Sequence, residues 1–115
     1  MLTKTMMIKK FAKFVKDIKN PECEIVVNTN GTVITDNLLH ELMRFKKVCI
    51  TVSLDGFGEL NSKIRRHSVW ETIDKNIDRF KESGFTLYCN TVLQRDNIDH
   101  LTELGDYLLE KGFSM

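Results

Sequence analysis

The sequence predicts an α/β fold of parallel strands joined by helical crossovers, and three observations carry that prediction. Helical and strand periodicities alternate along the chain in the order αβαβαβα. Two of the helical runs close on the same ending, "ESGF" at 82–85 and "EKGF" at 110–113, a glycine followed by a phenylalanine. Strands separated by helices pair in parallel through right-handed crossovers.

The elements follow in order. "MMIKKFAKFVKDI" sets Met7, Ile8, Phe11, Val15 and Ile18 on one helical stripe with Lys9, Lys13 and Lys16 opposite, and Pro21 closes the run. "CEIVVNTNG" is a β-rich run ending in a turn-forming Asn-Gly. Thr35 or Asp36 caps a helix carrying Leu38, Leu42 and Phe45, and "VCITVSLDG" is the second strand. Ser68 and Glu71 have capping-box spacing ahead of Trp70, Ile73, Ile77 and Phe80, the apolar positions that helix presents to the core. Gly84 ends it. "FTLYCNTVLQ" is the third strand, and Asp96 or Asn97 caps a last helix with Ile98, Leu101, Leu104 and Leu108, stopped by Gly112.

The strands are two-sided in an unusual way. On the middle strand Val48, Ile50, Val52 and Leu54 point one way, and Cys49, Thr51, Ser53 and Asp55 the other. Asn28 and Asn30 share a face of the first strand against Ile25 and Val27, and Tyr88 and Asn90 oppose Leu87 and Cys89 on the third. A doubly wound parallel sheet is covered on both faces and apolar on both. Polar groups gathered on one face, toward the C-terminal strand ends, instead mark the wall of a βα-barrel whose lumen binds a ligand. The competing reading is a satisfied polar ladder exposed to solvent. A three-stranded parallel sheet has two open edges, and no strand precedes the first helix. The expectation is therefore a three-stranded slice of a partial (βα)6 TIM-like barrel, with residues 1–115 forming one partial domain.

The bulk composition agrees. A chain of 115 residues, 42% hydrophobic, supports one core. Seventeen basic residues against sixteen acidic ones give no global field for nucleic acid or a membrane surface, although residues 1–20 hold six lysines and a single acid. No apolar run approaches the roughly 18 residues of a membrane span. Cys23, Cys49 and Cys89 are odd in number and widely separated, which suits free thiols in a cytoplasmic protein. His40, His67 and His100 have no ligand spacing and read as surface or cap residues. Asp55-Gly56 lacks the acidic pair and late lysine of a phosphoacceptor site, and "DGFGE" lacks the lysine of a phosphate loop.

"VVNTNGTVIT", "VCITVSLDG", "SKIRRHSVWETIDKNI" and "LYCNTVLQRDNIDHLTELGDYLLEKGF" together resemble the middle of a radical S-adenosylmethionine enzyme, in the branch of peptide-modifying and anaerobic sulfatase-maturing enzymes. The resemblance covers residues 2–113. It implies a partial barrel that holds a [4Fe-4S] cluster and cleaves S-adenosylmethionine reductively to a 5′-deoxyadenosyl radical. It further implies that Ser53 and Asp55 face the ribose or methionine of that cofactor. Arg65 would pair with its carboxylate, and Asn90, with Asn30 of the Thr-Asn-Gly, would lie at the neighbouring strand ends. Two family features are missing. Cys23, Cys49 and Cys89, 26 and 40 residues apart, cannot imitate the Cys-x-x-x-Cys-x-x-Cys cluster loop, and the Gly-Gly-Glu that binds the methionine amino group is absent.

The expectation is thus a fragment of such an enzyme, with no catalytic or metal-ligating residue of its own and no tight cofactor binding. It is inactive until joined to the missing N-terminal barrel half or a partner chain. The alternative is a non-catalytic interaction module from a degenerate barrel, associating through open sheet edges that bear Val26 and Tyr88.

Overall fold

A computed structural model describes residues 4–66 and 68–114. The elements are α1 (Lys4–Asp17), β1 (Glu24–Thr29), α2 (Asp36–Leu42), β2 (Lys47–Ser53), α3 (Glu59–Ile64), α4 (Trp70–Glu82), β3 (Thr86–Asn90), a 3-10 turn (Ile98–His100) and α5 (Leu101–Glu110). The strands form one parallel sheet in the order β1-β2-β3. The predicted α/β class and parallel βα order hold. One short helix, α3, was not anticipated.

In α1 the inward line is half-buried Ile8 and buried Ala12 and Val15, at spacings of four and three, with Phe11 beside it. Met7 falls one position off that line and is exposed, contrary to its placement on the stripe. The helix stops at Asp17, ahead of Pro21. Thr35, not Asp36, caps α2, its hydroxyl oxygen accepting from the Leu38 N–H at 3.2 Å. The two Gly-Phe endings are the same Schellman motif. Gly84 and Gly112 sit at positive φ, the Phe85 N–H reaches the Phe80 carbonyl, and the Phe113 N–H reaches that of Leu108. Both phenylalanines are buried. Beyond the second of these turns the Ser114 N–H donates to the Leu87 carbonyl at 2.8 Å, on the outer side of β3.

Two helix starts differ from expectation. The chain enters α4 through an extended Val69, so the cap falls one residue after Ser68, and the Ser68 hydroxyl donates to the Arg65 carbonyl instead of forming a capping box. Asn97 precedes a 3-10 turn rather than the α-helix itself, and its side chain points away from the helix N–H groups.

The helices lie in one layer, tied in the order α1, α2, α4, α5. Arg44 of the α2 end donates to the Val15 carbonyl of α1 at 2.9 Å, Arg79 of α4 pairs with Asp36 of α2, and the Tyr107 hydroxyl of α5 donates to Asp74 of α4 at 2.6 Å. The core lies between this layer and one face of the sheet, where Val48, Ile50, Val52, Leu54 and Leu87 meet Leu42, Ile73, Ile77 and Phe80. Trp70, expected in that core, is half-buried at its margin, against Phe57 and Tyr107. Among the described residues no helix covers the other face. The radius of gyration is 14.6 Å, against about 13 Å for a compact domain of this length, and the smallest dimension is 21 Å, the depth of two layers. Among the described residues no helix is long and apolar enough to cross a membrane.

Candidate functional site: the polar strand ends

In a parallel pair, register partners share a face. The register places Val26 with Cys49 and Thr86, then Asn28 with Thr51 and Tyr88, then Ser53 with Asn90. Asn30 follows Thr29, whose partner is Val52, and so falls at the level of Ser53. The uncovered face therefore grows more polar toward the C-terminal strand ends, as the alternation in the sequence predicts. Of the candidate residues, Ser53 and Asn90 are neighbours on adjacent strands, and Asn30 is on the far side of Ser53. Asn30 is occupied locally: its side-chain oxygen accepts from the Thr32 N–H at 3.0 Å and hydroxyl at 2.7 Å, shaping the loop after β1.

Asp55 lies just beyond β2 and is buried. Gly56 makes the tight turn there possible, because a Cβ would meet Leu60 at 2.7 Å. Every polar group of Asp55 is engaged. Its N–H donates to the Asn61 side-chain oxygen at 2.8 Å, and its carbonyl accepts from the Asn97 side chain at 3.0 Å. One carboxylate oxygen accepts from the Val92 N–H at 3.0 Å, and the other lies 2.8 Å from Arg65 Nε. The Arg65 contact is an ion pair by distance. Its N–H is not aligned on the oxygen, so Arg65 Nε is also a buried donor without a hydrogen bond. Geometry decides here: the charges attract, and the directed bond is unmade. Arg65 is 31% exposed and Asp55 5%, so the guanidinium bridges a buried carboxylate and solvent.

Asn61 and Asn97, which the sequence reading did not select as site residues, organise this corner. Both are fully buried. Asn97 donates to the carbonyls of Asp55 and Val92, and its oxygen accepts from the Gln94 N–H at 2.9 Å. The Leu54 N–H to Asn90 carbonyl bond and the Thr91 hydroxyl to Leu54 carbonyl bond fasten the same two strand ends. A third buried asparagine, Asn76 of α4, donates to the Gly31 carbonyl at 2.8 Å and holds the loop after β1. The available sequence signal was a polar residue on an apolar stripe, Asn76 being three after Ile73 and four before Phe80. Asn61 Nδ2 is buried without a partner among the described residues. With Arg65 Nε it makes two buried donors beside Asp55 that have no hydrogen bond among the described residues.

The cysteines do not make an iron site. All three are free; Cys49 lies on the uncovered face and Cys89 on the helix face. Burial raises the Cys89 thiol, keeping it protonated, with a weaker opposing effect from Thr91. No group of three or more potential ligands gathers among the described residues. Polar groups at the strand ends, Ser53, Asn90 and the Arg65 guanidinium, are of the kind that would hold S-adenosylmethionine, whereas three separated free thiols do not fit a [4Fe-4S] cluster. His40 and His100 are exposed, on α2 and at the start of α5, as expected, and His67 lies outside the described residues.

A family model described as the radical SAM superfamily matches residues 2–108. The chain belongs to the radical SAM superfamily. Solved structures of SuiB from Streptococcus suis share the fold. The form bound to S-adenosylmethionine aligns with a TM-score of 0.63 at 21% identity, over 77% of this chain and 21% of that one. A second SuiB structure gives 0.65 at 21% identity and the same coverage. SuiB bound to the precursor peptide SuiA gives 0.62 at 21% identity, over 76% and 20%. The chain thus spans about a fifth of the length of the solved structures it matches. No curated protein sequence matches it.

Proposed function

We propose that this radical SAM chain supplies the middle of a barrel wall that receives S-adenosylmethionine at the C-terminal ends of β1, β2 and β3. The supporting observation is the sheet face that no helix covers, polar at those ends, beside the Asp55–Arg65 pair. Residues 1–115 form one partial core domain. Arg65 recognises the methionine carboxylate, its fork held by Asp55 and its outer part exposed. Asp55 acts through Arg65, and Ser53, Asn90 and Asn30 contact the remainder of the cofactor. The superfamily's chemistry is reductive cleavage of S-adenosylmethionine to a 5′-deoxyadenosyl radical. In this protein the [4Fe-4S] cluster that chemistry needs is held by residues outside this chain. Alone, the chain is inactive and binds the cofactor weakly. Its free thiols fit a reducing compartment, the cytoplasm.

Translation of the DNA upstream of the Met1 codon, in frame, tests the fragment reading. The expected result is a Gly-Gly-Glu stretch just before residue 1, with Cys-x-x-x-Cys-x-x-Cys some tens of codons earlier. A stop codon immediately upstream would favour the second reading, a non-catalytic module pairing through the open edges of β1 and β3. Val26 and Tyr88, exposed on those edge strands, motivate it.

A further inference from the structure

Lys9, Lys13 and Lys16 project from α1 at spacings of four and three, all exposed, along a cleft that also includes Ala12, Asp17 and Asn37. None of the three has an ion-pair partner among the described residues. At the other end of the helix layer, Glu103, Asp106 and Glu110 project from α5 at spacings of three and four, also exposed. They line a cleft of about 570 Å³ whose apolar floor is Phe57, Trp70 and Tyr107, three rings with centroids 5.0 to 5.4 Å apart. The fourth acid of that cleft, Asp74, is already neutralised. Burial works to raise its pKa, but the Tyr107 hydrogen bond and the Lys111 ammonium outweigh burial and lower it. Among the described residues, Glu103 is the one of these three acids with a basic side chain nearby, the His100 imidazole at 3.8 Å.

The two rows match when one is read backwards. Helical residues rise about 1.5 Å each, so both rows span about 10 Å. In an antiparallel pairing of α1 with the α5 of another molecule, Lys9 falls opposite Glu110, Lys13 opposite Asp106 and Lys16 opposite Glu103.

We propose that the acidic aromatic cleft between α4 and α5 docks the lysine-bearing α1 of a second copy of this chain, in that register. The interface is heterologous, so each added copy leaves one basic and one acidic face free and the assembly is open-ended. It differs from pairing through the sheet edges, which no charge reversal on the helices would affect. Exposed ion pairs are weak singly and screened by salt, so association is modest and ionic-strength-dependent.

Sedimentation velocity on the whole chain tests this, at 20 mM and 500 mM NaCl and at concentrations up to several hundred micromolar. The expected result is a weight-average mass that rises with concentration at low salt, with association at least fivefold weaker at high salt. The variants Lys9→Glu/Lys13→Glu/Lys16→Glu and Glu103→Lys/Asp106→Lys/Glu110→Lys, each checked for folding by circular dichroism, should be monomeric alone and associate when mixed. A wild-type chain monomeric throughout would overturn the proposal. So would either variant associating alone as strongly as the wild type, or a mixture of folded variants that stays monomeric.

Discussion

The two faces of one small sheet have been put to opposite uses. On the helix side Val48, Ile50, Val52 and Leu87 are shut away behind four helices and supply the core. On the other side the same strands carry half-buried Thr51 and Ser53 and exposed Tyr88 and Asn90, with no helix over them among the described residues. The strand backbones are identical for both faces, so the difference lies in side chains one residue out of phase. One face holds the protein together, and the other is left open. A second contrast runs along the strands. The ends of β2 and β3 are fastened by Asp55, Asn97 and Thr91, while the loop after β1 is held by Asn76 and its own Asn30 turn.

The largest effect should come from the covered face. Leu87→Ala removes a fully buried side chain and should cost about 2–5 kcal/mol in denaturant unfolding. Tyr88→Ala, the next residue but on the open face, should cost well under half as much, and equal losses would break the comparison. At the fastened corner, Asp55→Ala strands the Val92 N–H and Arg65 together, with an expected loss of about 2 kcal/mol. Asp55→Asn, which retains an acceptor for Val92, should recover part of it. Asn97→Ala should cost about 1–2 kcal/mol and speed amide exchange at Gln94 more than at residues of β1. Uniform acceleration across the sheet would mean that Asn97 is simply core.

The smallest effect is in the helix layer. Asp74 ionises more readily in the fold than in the unfolded chain, because its bonds from Tyr107 and Lys111 outweigh burial. Its stabilising contribution is complete above the unfolded carboxylate value of about 4 and decays as pH falls below it. Asp74→Asn should therefore flatten the decline of Tm below about pH 4 and leave its slope near neutrality unchanged. Tyr107, raised by burial and by Asp74, stays protonated throughout that range.

Much of this was legible in the sequence because a period of two separates the faces of a strand without reference to anything else. The three strands and the polar face follow from it, and the helices between the strands imply the parallel order. The two Gly-Phe endings were equally plain, since an αL glycine is a local requirement. Helix α3 escaped because "ELNSKI" is under two turns long and shows no repeat to count. The roles of Asn61, Asn76 and Asn97 escaped for a different reason. A buried carboxamide is chosen for partners distant in sequence, 45 residues away for Asn76 and 42 for Asn97, and no local pattern announces them. Ser68 shows the reverse error, a capping-box spacing that forms no cap, because extended Val69 starts the helix and the Ser68 hydroxyl bonds to the Arg65 carbonyl.

The central claim is that the open face receives S-adenosylmethionine with Arg65 on its carboxylate. The most direct measurement is cofactor affinity by calorimetry in the enzyme rebuilt with its cluster-bearing segment, reconstituted with iron and sulfide, with Arg65 intact and as Arg65→Ala. The account predicts at least tenfold weaker binding for the variant, with the cluster absorbance unchanged. Equal affinity in the two, with the cluster in place, would contradict it.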